Sequence, residues 1–252
     1  MKIGKFLKET TIIMLVFAML LGVFAISDAE TAVLADDNPV KMYCCDSVIN
    51  WRGSVEYIVY IQIDADSAAN KEVSVHYSTG TSAWQDAEAT YVTHLDNQTE
   101  IWKATVSGFG IGGEYAIKYI GDGKTYWDNN NGQNYTATDV LGQANIIVDR
   151  LQYQQPNSYT IKAIVRNLGY NKVIKVLYTQ DNWATYNVAA FNYQSPYQFN
   201  TDLEVWSVTL NLDENKMDSF QYCVSYEVNG ETYWDNNFGA NYDRNHYLPL
   251  GY

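Results

Sequence analysis

The chain has 252 residues, a formal charge of −13 and three cysteines. A surface this acidic repels nucleic acid and anionic lipid. An odd cysteine count with an adjacent pair, Cys44 and Cys45, makes no disulfide framework, and neither a C-x-x-C motif nor a His-rich spacing suggests zinc.

In chain order the first element is a leader. Lys2, Lys5 and Lys8 precede an uncharged run from Ile12 to Ile26. Those 15 residues are short for a membrane span, which takes about 20, and suit a signal peptide. Small residues ending at Ala29 place cleavage there, with a later position after Ala35 also open. An uncleaved N-terminal anchor is the alternative. The expectation is a secreted, extracellular protein with no membrane contact after cleavage. Removing residues 1–29 takes away three lysines and two acids and leaves −14.

Strand signals fill the rest. VEYIVYIQI (Val55–Ile63) and YTIKAIVRN (Tyr159–Asn167) alternate at period two, as do EVSVHY (Glu72–Tyr77) and VIKVLY (Val173–Tyr178). EIWKATV (Glu100–Val106) answers EVWSVTL (Glu204–Leu210), and EYAIKY (Glu114–Tyr119) answers FQYCVSYEV (Phe220–Val228). Gly, Asn and Asp clusters separate them. TYWDNNNGQNY (Thr125–Tyr135) recurs 107 residues later as TYWDNNFGANY (Thr232–Tyr242), with nine of eleven positions identical. This periodicity predicts an all-β chain of two tandem antiparallel β-sandwiches, over 38–140 and 145–252. The connection Thr136–Asn145 is too short for free tethering, so a restricted mutual orientation is expected.

Four readings compete for the repeated stretch. Tyr126 and Trp127 are neighbours on a strand and face opposite ways, so one can join the core while the other faces solvent. A structural corner would use Asp and Asn as backbone caps. A sugar platform would lay a Trp face on the C–H face of a pyranose and use Asn amides for paired hydroxyls. A calcium loop fails the EF-hand pattern, because Gly132 stands fifth from Asp128 and the twelfth position is Asp139 in one copy and His246 in the other. Glycoside hydrolysis needs two facing carboxyl groups. Each motif holds one, Asp128 or Asp235, so no enzyme is expected.

Y-W-D-N-N-x-G-x-N-Y after a Tyr-rich strand resembles the C-terminal signature of carbohydrate-binding module family 21, a starch- and glycogen-binding module. VRNLGYNKVIKVLYTQDNW (Val165–Trp183) is similar to that family's upstream run. The resemblance covers Pro39–Tyr135 and Ile146–Tyr242 and implies immunoglobulin-like sandwiches that bind α-1,4-glucan without catalysis or cofactor. Carried over, one sugar site is Trp183, Trp234, Asn236 and Asn241 in copy two, and Trp127, Asn129 and Asn134 in copy one. Trp84 is the fourth member in copy one if residues are counted forward from Tyr77. Counted back from Asp86–Tyr91, Trp84 stands opposite Tyr186 and Thr81 takes the binding position. A second site implied by the family centres on Tyr170 with Asn167 and Lys172; Ala69 replaces that aromatic in copy one. Ala116 and Cys223 stand where some members carry an aromatic. No [KR]-V-x-F phosphatase-docking sequence is present. The partner expected is α-glucan polysaccharide: starch, amylose, glycogen or maltooligosaccharides. Work beside an amylase, as the binding part of a starch-degrading system, and adhesion to another glycan or protein are the alternatives.

Overall fold

The computed structural model describes residues 38–49, 55–96, 98–109, 112–155 and 158–244. The leader expected over residues 1–29 lies outside them.

Eight strands come before the connection: β1 (Val40–Ile49), β2 (Val55–Asp64), β3 (Lys71–Ser78), β4 (Gln85–Glu88), β5 (Thr90–Asp96), β6 (Thr99–Ser107), β7 (Glu114–Gly121) and β8 (Lys124–Asp128). They form two antiparallel sheets, ordered β1-β2-β6-β5 and β4-β3-β7-β8. Nine more follow: β9 (Ile146–Gln155), β10 (Ser158–Arg166), β11 (Lys172–Thr179), β12 (Asn187–Ala190), β13 (Asn192–Tyr197), β14 (Asn200–Asn211), β15 (Gln221–Val228), β16 (Glu231–Asp235) and β17 (Tyr242–Asp243). Their sheets run β13-β14-β10-β9 and β12-β11-β15-β16, with β17 on β15. The strand order is the same in both halves. All eight runs read as strands from their alternation are strands here. The openings β1 and β9 and the short strands β4, β5, β12 and β13 carried weaker patterns.

The alternation sorts side chains as period two requires. In β2, Val59, Ile61 and Ile63 are buried with Val73, Val75, Ile117 and Tyr119 in the first core. In β10, Tyr159, Ile161, Ala163 and Val165 join Ile174, Val176, Tyr222, Val224 and Tyr226 in the second. A buried ion pair recurs in each sandwich. Lys71 Nζ reaches Glu100 Oε1 at 2.8 Å while Trp102 Nε1 donates to Glu100 Oε2 at 2.9 Å. Lys172, Glu204 and Trp206 repeat this at 2.8 and 2.9 Å. Losing one partner of such a pair strands a desolvated charge.

A third apolar cluster joins the sandwiches. It contains Cys44, Tyr60, Ile101, Ala144, Ile147, Ile164 and Leu203, flanked by Tyr43, Ile58, Val140, Leu141, Tyr197 and Phe238. Tyr60, Ile101, Ile164 and Leu203 sit on the strand faces turned away from their own cores, so the two sheets bury each other's outer faces. The connection is stitched down as well. Gly142 N and Ala144 N donate to Tyr43 O, Gln143 N to Met42 O, and Cys45 N to Val140 O, all at 3.0 Å. Arg166 Nη2 donates to Gly142 O at 2.7 Å. A Cβ on Gly142 would fall on the Met42 carbonyl oxygen, so close approach of two backbones demands glycine there.

Candidate functional site

Each repeated motif ends its strand in a loop rich in left-handed backbone. Asn130, Asn131, Gly132 and Asn134 have φ of 53°, 57°, 89° and 58°; Asn237, Phe238, Gly239 and Asn241 have 52°, 54°, 91° and 58°. Asn and Gly tolerate this region, which explains the composition. The motif Asp is a clasp. Asp128 accepts from Met42 N at 2.7 Å and from the Tyr135 hydroxyl at 2.8 and 2.9 Å. Asp235 accepts from Val148 N and from the Tyr242 hydroxyl, both at 2.6 Å. The carboxylate thus ties the loop to the opening strand of its sandwich. Tyr126 and Tyr233 pack on the cores beneath.

Trp127 and Trp234 face outward, 42% and 41% exposed. In the first sandwich an open cleft of about 280 Å³ is lined by His76, Trp84, Ala116, Trp127, Asn129 and Asn134. All four expected residues of that copy, Trp84 included, lie around it. His76 stacks on Trp84 and meets Trp127 edge-on. Its Nδ1 is hydrogen-bonded to Asp86, which also receives Lys118 Nζ at 2.9 Å, and Lys118 stands 6.0 Å from the Trp127 ring. Burial raises the Asp86 pKa, but the Lys118 and His76 hydrogen bonds outweigh it and hold the carboxyl below its usual value. Asn129 Oδ1 accepts from Gly132 N at 3.0 Å, leaving its amide N–H donors without a protein acceptor among the described residues. Asn134 Nδ2 donates to Glu114 Oε2 at 3.0 Å.

The ladders decide how the copies correspond. Tyr77 pairs with Gln85, and Tyr178 with Asn187. The loop between is one residue longer in the second copy. Trp84 therefore corresponds to Tyr186, as the backward count has it, yet it still lines the cleft. Tyr186, 47% exposed, is a candidate that forward counting passes over. His76 was also missed; its match is Leu177, at 101 residues' offset, while Ala116, matched by Cys223 at 107, is the position where the resemblance put an aromatic. A lone His carries no signal until the β3–β7 pairing sets it beside Ala116.

Trp183 is half-buried and at φ 66°. Asp181 fixes this turn: its carboxylate accepts from the Thr185 hydroxyl at 2.6 Å, the Thr179 hydroxyl at 2.7 Å and Thr185 N at 2.9 Å. These bonds pull its pKa down to about 2. Trp183 Nε1 donates to Gln221 Oε1 at 2.6 Å, the residue that matches Glu114. Among the described residues no ring contact joins Trp183 to Trp234. Trp234 and Asn236 instead border a small cleft of about 50 Å³ shared with Tyr43, Asp46, Tyr60 and Leu95 of the first sandwich. The Asn236 side chain accepts from Gly239 N at 3.0 Å, as in copy one.

The second expected group divides. Tyr170 is 99% exposed. Lys172 is almost fully buried, bonded to Asn167 Oδ1 and Glu204, so its ammonium is already engaged. Beyond Glu204 lie Trp206 and, 5.6 Å from it, the exposed ring of Tyr193, a residue that the sequence reading did not single out.

Residues 140–245 match the model of the carbohydrate/starch-binding module (family 21). Glucoamylase 1 of Rhizopus oryzae is 30% identical over 110 residues, 42% of this chain and 17% of that protein. Protein phosphatase 1 regulatory subunit 3B of Homo sapiens is 36% identical over 81 residues, 31% of this chain and 28% of that one. The chain thus spans about a sixth of the first relative and little more than a quarter of the second. Among solved structures, the starch binding domain of Rhizopus oryzae glucoamylase in complex with beta-cyclodextrin and maltoheptaose aligns with 40% of this chain and 92% of its own, at 25% identity and a TM-score of 0.33. The family match falls on the second sandwich; the first is tied to it by strand order and by its copy of the motif.

Proposed function

We propose that the chain is a secreted, non-catalytic protein that holds α-1,4-glucan with two modules of the family-21 type, one per sandwich. The observation that carries this reading is the first cleft, where two outward tryptophans and two loop asparagines surround one open space. A pyranose ring offers an apolar C–H face for the indoles and a hydroxyl rim for the amides. The family match of the second sandwich supplies the substrate class. Two weak sites on one polymer raise apparent affinity by roughly 10²–10⁴ when both reach it together. Service as the binding part of a starch-degrading system is the finer form of this proposal, supported by the likeness to part of a glucoamylase.

Retention on insoluble starch, run beside cellulose and chitin, tests the reading. Trp127→Ala with Trp234→Ala should abolish retention on amylose or glycogen and leave circular dichroism unchanged. Binding equal to the parent's would sink the platform assignment, and unfolding would return both indoles to a core role.

A further inference from the structure

The two copies of the motif differ at two places, Asn131 against Phe238 and Gln133 against Ala240. The first difference is chemically odd. Asn131 and Phe238 hold the same left-handed backbone, at φ 57° and 54°. Asn accepts that region and a bulky aromatic resists it. Something outside the loop must therefore hold Phe238 in place.

The contacts name it. The Phe238 ring lies 4.8 Å from Tyr60 and 5.8 Å from Tyr43, both in the first sandwich, within the cluster that joins the halves. Among the described residues that socket exists in one copy only. Cys44 pairs with Tyr60 in the first sandwich, and Asp149 pairs with Lys162 at the same rung of the second. Tyr43 is the extra residue of a bulge between Met42 and Cys44; in the second sandwich Val148 and Asp149 follow one another in register, and the shift falls after Asp149 instead. Plug and socket differ in complementary ways: the second loop carries an aromatic that its counterpart lacks, and the first sandwich carries two that its counterpart lacks.

Two residues before the plug stands Asn236, which lines the junction cleft with Trp234. We infer that Phe238 is a positioning residue: it bolts the second motif loop into the first sandwich and thereby sets where Asn236 and Trp234 stand. The second platform then owes its geometry to the first sandwich, apart from any gain from bivalency. This rests on the α-glucan reading above.

The test uses the full chain with the first platform silenced by Trp84→Ala and Trp127→Ala, so that only the second site reports. Adding Phe238→Asn restores the residue of the other copy, which suits the backbone, so the loop itself should keep its fold. The expected result is a maltoheptaose Kd weakened by roughly fivefold or more in calorimetry, with a broader distance distribution in small-angle scattering. Phe238→Tyr, which keeps the ring, should preserve both. Scattering and affinity that stay as in the Phe238 chain overturn the inference; expansion with unchanged affinity overturns the positioning role and leaves the docking. A parent chain that binds no maltoheptaose overturns the glucan reading and the positioning role built on it. Scattering then decides the docking alone.

Discussion

The imidazole of His76 lies flat against the indole of Trp84, with centroids 4.9 Å apart and planes 15° from parallel, while Trp127 meets the same ring edge-on at 5.4 Å and 75°. His76 thus spaces the two outward tryptophans of the first cleft. Aromatic pairs of this kind contribute about 0.5–1.5 kcal/mol. His76→Leu, copying Leu177, should weaken maltooligosaccharide binding by roughly two- to tenfold. The measurement is calorimetry on a chain already carrying Trp234→Ala. An unchanged Kd would make His76 a bystander.

The Asp235 clasp predicts a cost in stability. Asp235→Ala removes the charged acceptor of the Tyr242 hydroxyl and of Val148 N–H, and a hydrogen bond to a charged group contributes about 1.5–3 kcal/mol. The urea midpoint should fall with the m-value unchanged. Asp128→Ala should behave alike, because it accepts from the equivalent two partners, Met42 N and the Tyr135 hydroxyl, in the first sandwich. A midpoint equal to the parent's would remove the clasp from the account.

Asp181 gives a pH signature. Its carboxyl, held at about 2 in the fold, titrates near 3.9 once unfolded. Between those values the unfolded chain binds more protons, so the contribution is complete above about pH 4 and is lost as pH falls through about 2. Asp181→Asn should unfold at lower urea than the parent at pH 7, and the gap should close across that acid window. A gap independent of pH would deny the carboxylate its role in the Trp183 turn.

Tyr170 should separate binding from folding. At 99% exposure it contributes little to stability, so Tyr170→Ala should stay within about 0.5 kcal/mol of the parent. Retention on amylose should nevertheless fall. Unaltered retention would leave the second sandwich with the Trp234 platform alone.

Much of this was legible in residues. Adjacent Tyr and Trp in each motif must face opposite ways on a strand, and the structure packs half-buried Tyr126 and Tyr233 on the cores while exposing Trp127 and Trp234. The core alternation of β2 and β10 was equally plain. What alternation could not say is what covers the other face: Tyr60 and Ile164 read as ordinary outward positions, and only the third cluster shows them meeting a partner sheet. The Trp84 ambiguity came from one extra residue in a loop, which spacing cannot place and a ladder can. Lys172 was read as a sugar contact because the family resemblance put it beside Tyr170. Its almost complete burial against Glu204 follows from a tie across the sandwich, between β11 and β14, that no local pattern records.

The junction is also asymmetric: plug and socket lie on different sandwiches. A third sandwich docking in the same manner would need an aromatic socket on the second, where Lys162 and Asp149 stand instead. One docking before the first would need a plug in its motif loop, where Asn131 is exposed and polar. Each sandwich therefore carries one half of a joint that the other lacks, and the contact between them runs in one direction.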